Sequence, residues 1–252
     1  LKVSFAVGEM GSEATGSIIA LAAMQSNDRI VPEGFEIAGS TEYAWSRFEV
    51  AFDSPSDTFD AYYGNDGGRF AIALSNDELT YSVAATGPET RVSGSEIPVP
   101  VEVTAVSSEL SLRLPLSASP TPSDAALRIA FVDLAGSDAL WSMIDPAGQV
   151  PRNPLTLILD ATAQVQLFAD VLNIDVIESS TPPGELRSLT VSELELSFGD
   201  TALTGTADLT FAAGQPVPQP VGRADLSLVG GNALLEQLQA AGVIQPDQAG
   251  MA

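Results

Sequence analysis

The chain has 252 residues, with 33 Asp plus Glu against 10 Lys plus Arg, a formal net charge of −23, and neither His nor Cys. Those absences exclude Ser-His-Asp and Cys-His triads, zinc sites built on imidazole or thiolate, and covalently attached haem. The strong negative charge repels phosphate backbones and anionic membrane surfaces, so nucleic acid is not an expected partner.

The single lysine is Lys2, at the chain end, which argues against Schiff-base chemistry and a P-loop. No run approaches the ~18 apolar residues of a membrane span, so no transmembrane segment is expected. The length suits one large all-β domain as well as two smaller ones. The acidic balance keeps a chain that is 45% hydrophobic in solution.

From the start, apolar residues recur at every second position in short runs, as in half-buried antiparallel strands. Val3, Phe5 and Val7 share a face, as do Phe48, Val50 and Phe52. Phe70, Ile72 and Leu74 follow, then Leu79, Tyr81 and Val83, and after them Val99, Val101 and Val103. The pattern continues through Leu110 to Leu116 and through Leu127, Ile129 and Phe131. Its longest one-sided run is Leu155, Leu157, Leu159, Ala161, Ala163, Val165 and Leu167. Leu194 to Phe198, Leu203 to Phe211 and Ala224 to Leu228 complete the series. Gly64 to Gly68, Ser75-Asn76-Asp77, Gly87-Pro88 and Phe198-Gly199-Asp200 have hairpin-turn chemistry.

Two segments depart from alternation. Ser137 to Ile144 offers a Ser N-cap and stops at Asp145-Pro146, which predicts a short helix. Asn232 to Val243 has an Asn cap, Leu234, Leu235 and Leu238 on one face and Gly242 as its stop, which predicts a second. Leu167 to Ile174 reads equally as strand or helix. The fold class is therefore all-β, mainly an antiparallel meander forming a long curved sheet or a sandwich, with two short helices. Residues 1–252 read as a single β-rich domain with a sub-boundary near 117–123, where Ser117 to Ser123 is rich in Pro, Thr and Ser. Arg47, Arg69, Arg91 and Arg113 recur at a constant step, suggesting a stacked hairpin unit.

No carboxylate pair, nucleophile elbow, dinucleotide fingerprint or metal-ligand spacing stands out, so no catalytic residue, metal or cofactor is assigned and the chain is not expected to be an enzyme. The acidic turns at Asn65-Asp66 and Asn76-Asp77-Glu78 lack the spacing of a calcium loop. About a dozen one-sided strands leave an apolar face that two helices cannot cover. A second sheet, a protein partner or a lipid-like ligand must bury it. Leu155, Leu157, Leu159, Val165 and Leu167 are the candidate groove or core residues, with Leu234, Leu235 and Leu238 as a helical plug.

From about Pro98 onward the chain resembles alphaproteobacterial envelope proteins grouped under domain of unknown function 2125. The segments that carry the likeness are Phe131 to Leu134, Ser137 to Leu157, Pro183 to Leu186, Leu203 to Phe211 and Gly230 to Leu235. The meander is more remotely similar to AsmA and TamB type envelope proteins. These resemblances imply an exported, periplasmic protein whose leader is absent here, a portion of a longer chain, handling lipid in an apolar groove or else meeting an envelope protein partner as a self-packed scaffold.

Overall fold

The computed structural model describes residues 2–16, 34–179, 181–215 and 218–240. All the described strands join one antiparallel sheet. In chain order they are β1 (Lys2–Gly16), β2 (Glu36–Asp53), β3 (Thr58–Asn65), β4 (Gly68–Ser75), β5 (Glu78–Thr86), β6 (Glu89–Gly94), β7 (Val101–Thr104), β8 (Ser107–Pro115), β9 (Ser123–Gly136), β10 (Leu155–Leu167), β11 (Gly184–Phe198), β12 (Thr201–Phe211) and β13 (Pro220–Val229). Among the described residues three short helices accompany them: α1 (Asp138–Ile144), α2 (Ile174–Glu178) and α3 (Gly231–Ala240).

The register reduces this list to a simple meander. Along β2, Glu36 faces Ser75 of β4 and Asp53 faces Thr58 of β3, in one constant register. β3 and β4 are therefore two halves of a single traverse. The same holds for β5 with β6 and for β7 with β8, since each pair keeps one register against its neighbours. The constant arginine step has the same origin. Arg47, Arg69, Arg91 and Arg113 lie in β2, β4, β6 and β8, one traverse apart, rather than one hairpin apart as the sequence suggested.

The interruptions line up. Gly8 faces Trp45 across β1 and β2, and the registers then place Asp66, Gly87, Val106 and Asp133 in the same line. Hydrogen bonds cross it: Asp66 N–H donates to Thr86 O at 2.8 Å, Gly87 N–H to Val106 O at 2.9 Å, and Val106 N–H to Val132 O at 2.9 Å. Gly87 has φ +56°, and Asp133 is the one described non-glycine residue with positive φ, at +53°. Gly64 to Gly68 and Gly87-Pro88, expected as hairpin turns, instead form this crease. The chemistry that tolerates a turn also tolerates a kink within a strand. Ser75 to Asp77 and Phe198 to Asp200 are the tight turns expected.

Sequence alternation changes parity at the crease. The apolar set of β4 is Phe70, Ile72 and Leu74, whereas that of β3 is Phe59, Ala61 and Tyr63. The Tyr43 hydroxyl, on the β4 side of the line, is hydrogen-bonded to Asn65 at the end of β3. The kink thus brings side chains of opposite parity together.

α1 is capped as expected, with the Ser137 side chain accepting from Leu140 N–H. The undecided stretch resolves at Leu167, where β10 ends, and α2 starts at Ile174 as a third helix. α3 spans most of the second predicted helix, whose last residues lie outside those described.

Gly87→Val should cost ~1–2 kcal/mol, because a β-branched residue is strained at this φ and its Cβ would sit 3.0 Å from Asp66 Oδ2. Asp133→Gly should change stability by less than about 0.5 kcal/mol, since relief of the left-handed conformation offsets the glycine's extra unfolded entropy. Urea unfolding of both variants checks this.

Candidate functional site

The sheet is amphipathic. Along β10 the odd-numbered residues Leu155 to Val165 share one face with Ile129 of β9 and Leu194 of β11, while Thr156, Asp160, Thr162 and Gln164, with Ile158 among them, share the other. Cross-strand pairing carries the apolar face from strand to strand: Val83 faces Leu110, then Ile129, Leu159, Leu194, Gly205 and finally Leu226. Seven strands about 4.8 Å apart make this row roughly 30 Å long.

Little covers it. Among the described residues the buried hydrophobics are Ala85, Ala105, Leu116, Ala125, Ala130, Val150 and Leu167, four of them alanines. Large apolar side chains remain open to solvent, including Phe5 at 69%, Leu226 at 66% and Leu196 at 40% exposure. Leu155, Leu157, Leu159 and Val165 are half-buried on the apolar face, shielded by their strand neighbours. Leu167 is fully buried at the strand's end, near Leu116, and belongs to a closing cluster. There Val171 N–H donates to Leu116 O at 2.9 Å and Ser119 N–H to Leu167 O at 3.2 Å. Leu235 and Leu238 are half-buried on α3, which lies against β12. The side chain of Leu234 lies outside those described.

The 18-residue connection between β9 and β10 folds over the opposite end of the face. Trp141 of α1 stacks on Phe198 of β11 with ring centroids 6.1 Å apart, and Leu140 lies over Gly136. Asp145 secures the connection: it is 3% exposed, its N–H donates to Trp141 O at 2.8 Å, and its Oδ2 accepts from Val150 N–H at 2.7 Å. That N–H, followed by those of Gln149 and Gly148 and by the Arg152 charge, holds the Asp145 carboxyl below the usual carboxylate range.

A second cleft, of about 490 Å³, opens at the α2 end of β11 and β12 and is walled by Phe168, Pro182, Leu186, Phe211 and Pro218. Sequence reasoning did not single it out, because Phe168, Pro182 and Pro218 lie in loops and only the tertiary structure sets them against Leu186 of β11 and Phe211 of β12.

The opposite face is polar. Arg128 of β9 joins three strands: Nη1 donates to Asp160 Oδ2 at 2.8 Å and to Glu193 Oε2 at 3.4 Å, and Nε donates to Glu109 Oε2 at 3.3 Å. The Asp160 hydrogen bond is the main reason its pKa is raised. Arg69 also reaches Glu109, at 3.4 Å, and Arg113 pairs with Glu78 at 2.6 Å. These carboxylates are tied to arginines across the strands, and among the described residues no group of three or more His, Cys, Asp or Glu is placed to hold a metal ion.

Beside the crease, Asn65 is 1% exposed and its Nδ2 donates to Ser46 Oγ at 2.7 Å. Arg47 donates to Ser46 O at 2.8 Å, to Asn65 O and to Asp66 Oδ1 at 3.1 Å, with its guanidinium 5.8 Å from the Trp45 ring centroid. Burial, reinforced by the neighbouring Tyr63, pushes the Tyr43 hydroxyl above its ordinary pKa. The sequence contains these residues, yet only the strand register brings them together.

The fold and its two unlike faces define a class: an all-β protein built on one amphipathic antiparallel meander, with no described helix long and apolar enough to cross a membrane. The chain belongs to the family described as uncharacterized protein conserved in bacteria (DUF2125), whose model matches residues 42–252. The match begins within β2, upstream of the segments that suggested it. No curated protein and no solved structure matched.

Asp145 contributes through a folded-state pKa below the unfolded value, so its contribution is complete above the ordinary carboxylate range and is lost as pH falls through the lower folded value. Asp145→Asn should therefore lower the melting midpoint at pH 7. The difference from wild type should shrink on acidification below that range, as followed by thermal denaturation across pH.

Proposed function

We propose that this protein is a non-enzymatic, exported component of the bacterial envelope whose sheet cups the apolar chains of a lipid-like ligand. The observation that supports this is the half-open apolar face, roughly 30 Å long, which is about the thickness of a bilayer's hydrocarbon core. Monomeric proteins seldom leave a contiguous apolar surface of this extent in water, and such surfaces mark binding sites. A self-packed scaffold would have closed the face with a second layer; the described helices lie at its ends and leave its middle half-buried.

The ligand's chain would lie across the strands along the row from Val83 to Leu226. The lid made by α1 and Asp145, at the strand ends of β9 to β11, would flank one side of it. Lipid enters by replacing water against leucine side chains, at about 25 cal/mol for each Å² covered. The polar face, with its ion pairs, stays in solvent.

Gently purified wild-type protein should release lipid on solvent extraction and show a mass excess by native mass spectrometry. Leu159→Glu, in the middle of the row, should reduce the retained lipid by about tenfold or more. Thr162→Glu, on the polar face of the same strand, should leave it unchanged, with circular dichroism confirming that both variants fold. Wild-type protein that carries no lipid and binds no fatty-acid probe would overturn the proposal.

A further inference from the structure

Among the described residues, β13 is a free margin of the sheet. It pairs with β12 on one side only, and all ten of its residues are exposed, Leu228 at 63%. α3 follows it but lies against β12 and leaves β13 uncovered. Such a strand presents unpaired N–H and C=O groups beside apolar side chains, a template for another strand. Margins are ordinarily blunted by charge, proline or bulges. β13 has Pro220 at its start, and its only charged residues, Arg223 and Asp225, neutralise each other with Nε–Oδ2 at 2.5 Å.

This pattern is self-complementary. With two copies of β13 antiparallel about a two-fold axis at Ala224, Arg223 of each chain faces Asp225 of the other, and Leu226 faces Gly222. Within one chain Leu226 already fills the space above a glycine, Gly205 of β12. An axis at Asp225 would set two carboxylates against each other, and one at Leu226 would leave Arg223 and Asp225 facing Val229 and Ser227. We propose that β13 is a dimerisation edge whose occupant is a second copy of this chain in the Ala224-centred register. Two-fold pairing closes the assembly and joins the two apolar faces on one side of a continuous sheet. The net charge of −23 opposes association, but at ~0.15 M salt screening within about 8 Å confines that repulsion while the paired strands stay in contact.

Sedimentation velocity of the full chain at ~0.15 M salt should show a dimer. Arg223→Asp or Asp225→Arg alone should weaken it about tenfold, and the two together should restore it to within about threefold, because the swap re-forms both cross-pairs. The chain has no cysteine of its own, so Ala224→Cys should give an oxidised covalent dimer through the axis, whereas Ser227→Cys should not. A chain that stays monomeric at its highest attainable concentration overturns the proposal. So does a double swap without recovery, or an open-ended series of oligomers produced by pairing β13 with β1 of the next copy.

Discussion

A single layer of antiparallel strands meets its backbone hydrogen-bonding needs in its ladders, yet it cannot bury its own apolar face. That imbalance governs this molecule. Each traverse alternates polar and apolar residues, so the meander sums the apolar positions into rows running across the strands and gathers the carboxylates and arginines on the reverse. In a sandwich the second layer would take up the rows. Here the three described helices and their loops lie at the ends of strands, where Trp141 meets Phe198 and where Leu116 and Leu167 are buried.

The crease is the second organising feature. A sheet of this width would twist smoothly; instead, several neighbouring strands break at one line, and the apolar parity changes there. A kink leaves backbone groups irregularly placed, and polar side chains take them up. The Asn65 amide accepts from Gly67 N–H at 3.3 Å and donates to Ser46, while Arg47 caps the Asn65 carbonyl. A fully buried asparagine in so sparse a core is explained by this duty, since an unmet polar group at such a position would cost ~1–3 kcal/mol.

Electrostatics divide along the same two faces. The excess of acidic residues does not gather into a catalytic or metal-binding arrangement within the described residues. On the polar face, arginines tie carboxylates of neighbouring strands together. Because those pairs are half exposed, each adds modestly to stability, and their chief effect is to fix which face of each strand turns to water. A one-residue slip would place Asp160 among the leucines and Leu159 beside Arg128, so the ion pairs and the apolar rows specify the same register.

Much of this was legible in the sequence. Period-two alternation determined that the chain is all-β and antiparallel, the run from Leu155 to Val165 marked one apolar face, and the Ser137 cap with Asp145-Pro146 bounded α1. Local chemistry suffices for these, because side-chain periodicity and capping act over a few residues. The crease, the buried Asn65 and the open state of the apolar face were decided only by tertiary structure. Gly64 to Gly68 and Gly87-Pro88 permit a turn or a mid-strand kink equally well, and which one forms depends on whether the chain reverses or keeps its register against β2 and β8. Whether a second layer covers the leucines depends likewise on where distant strands end up, and alternation along a single strand holds no information about what stands opposite its face.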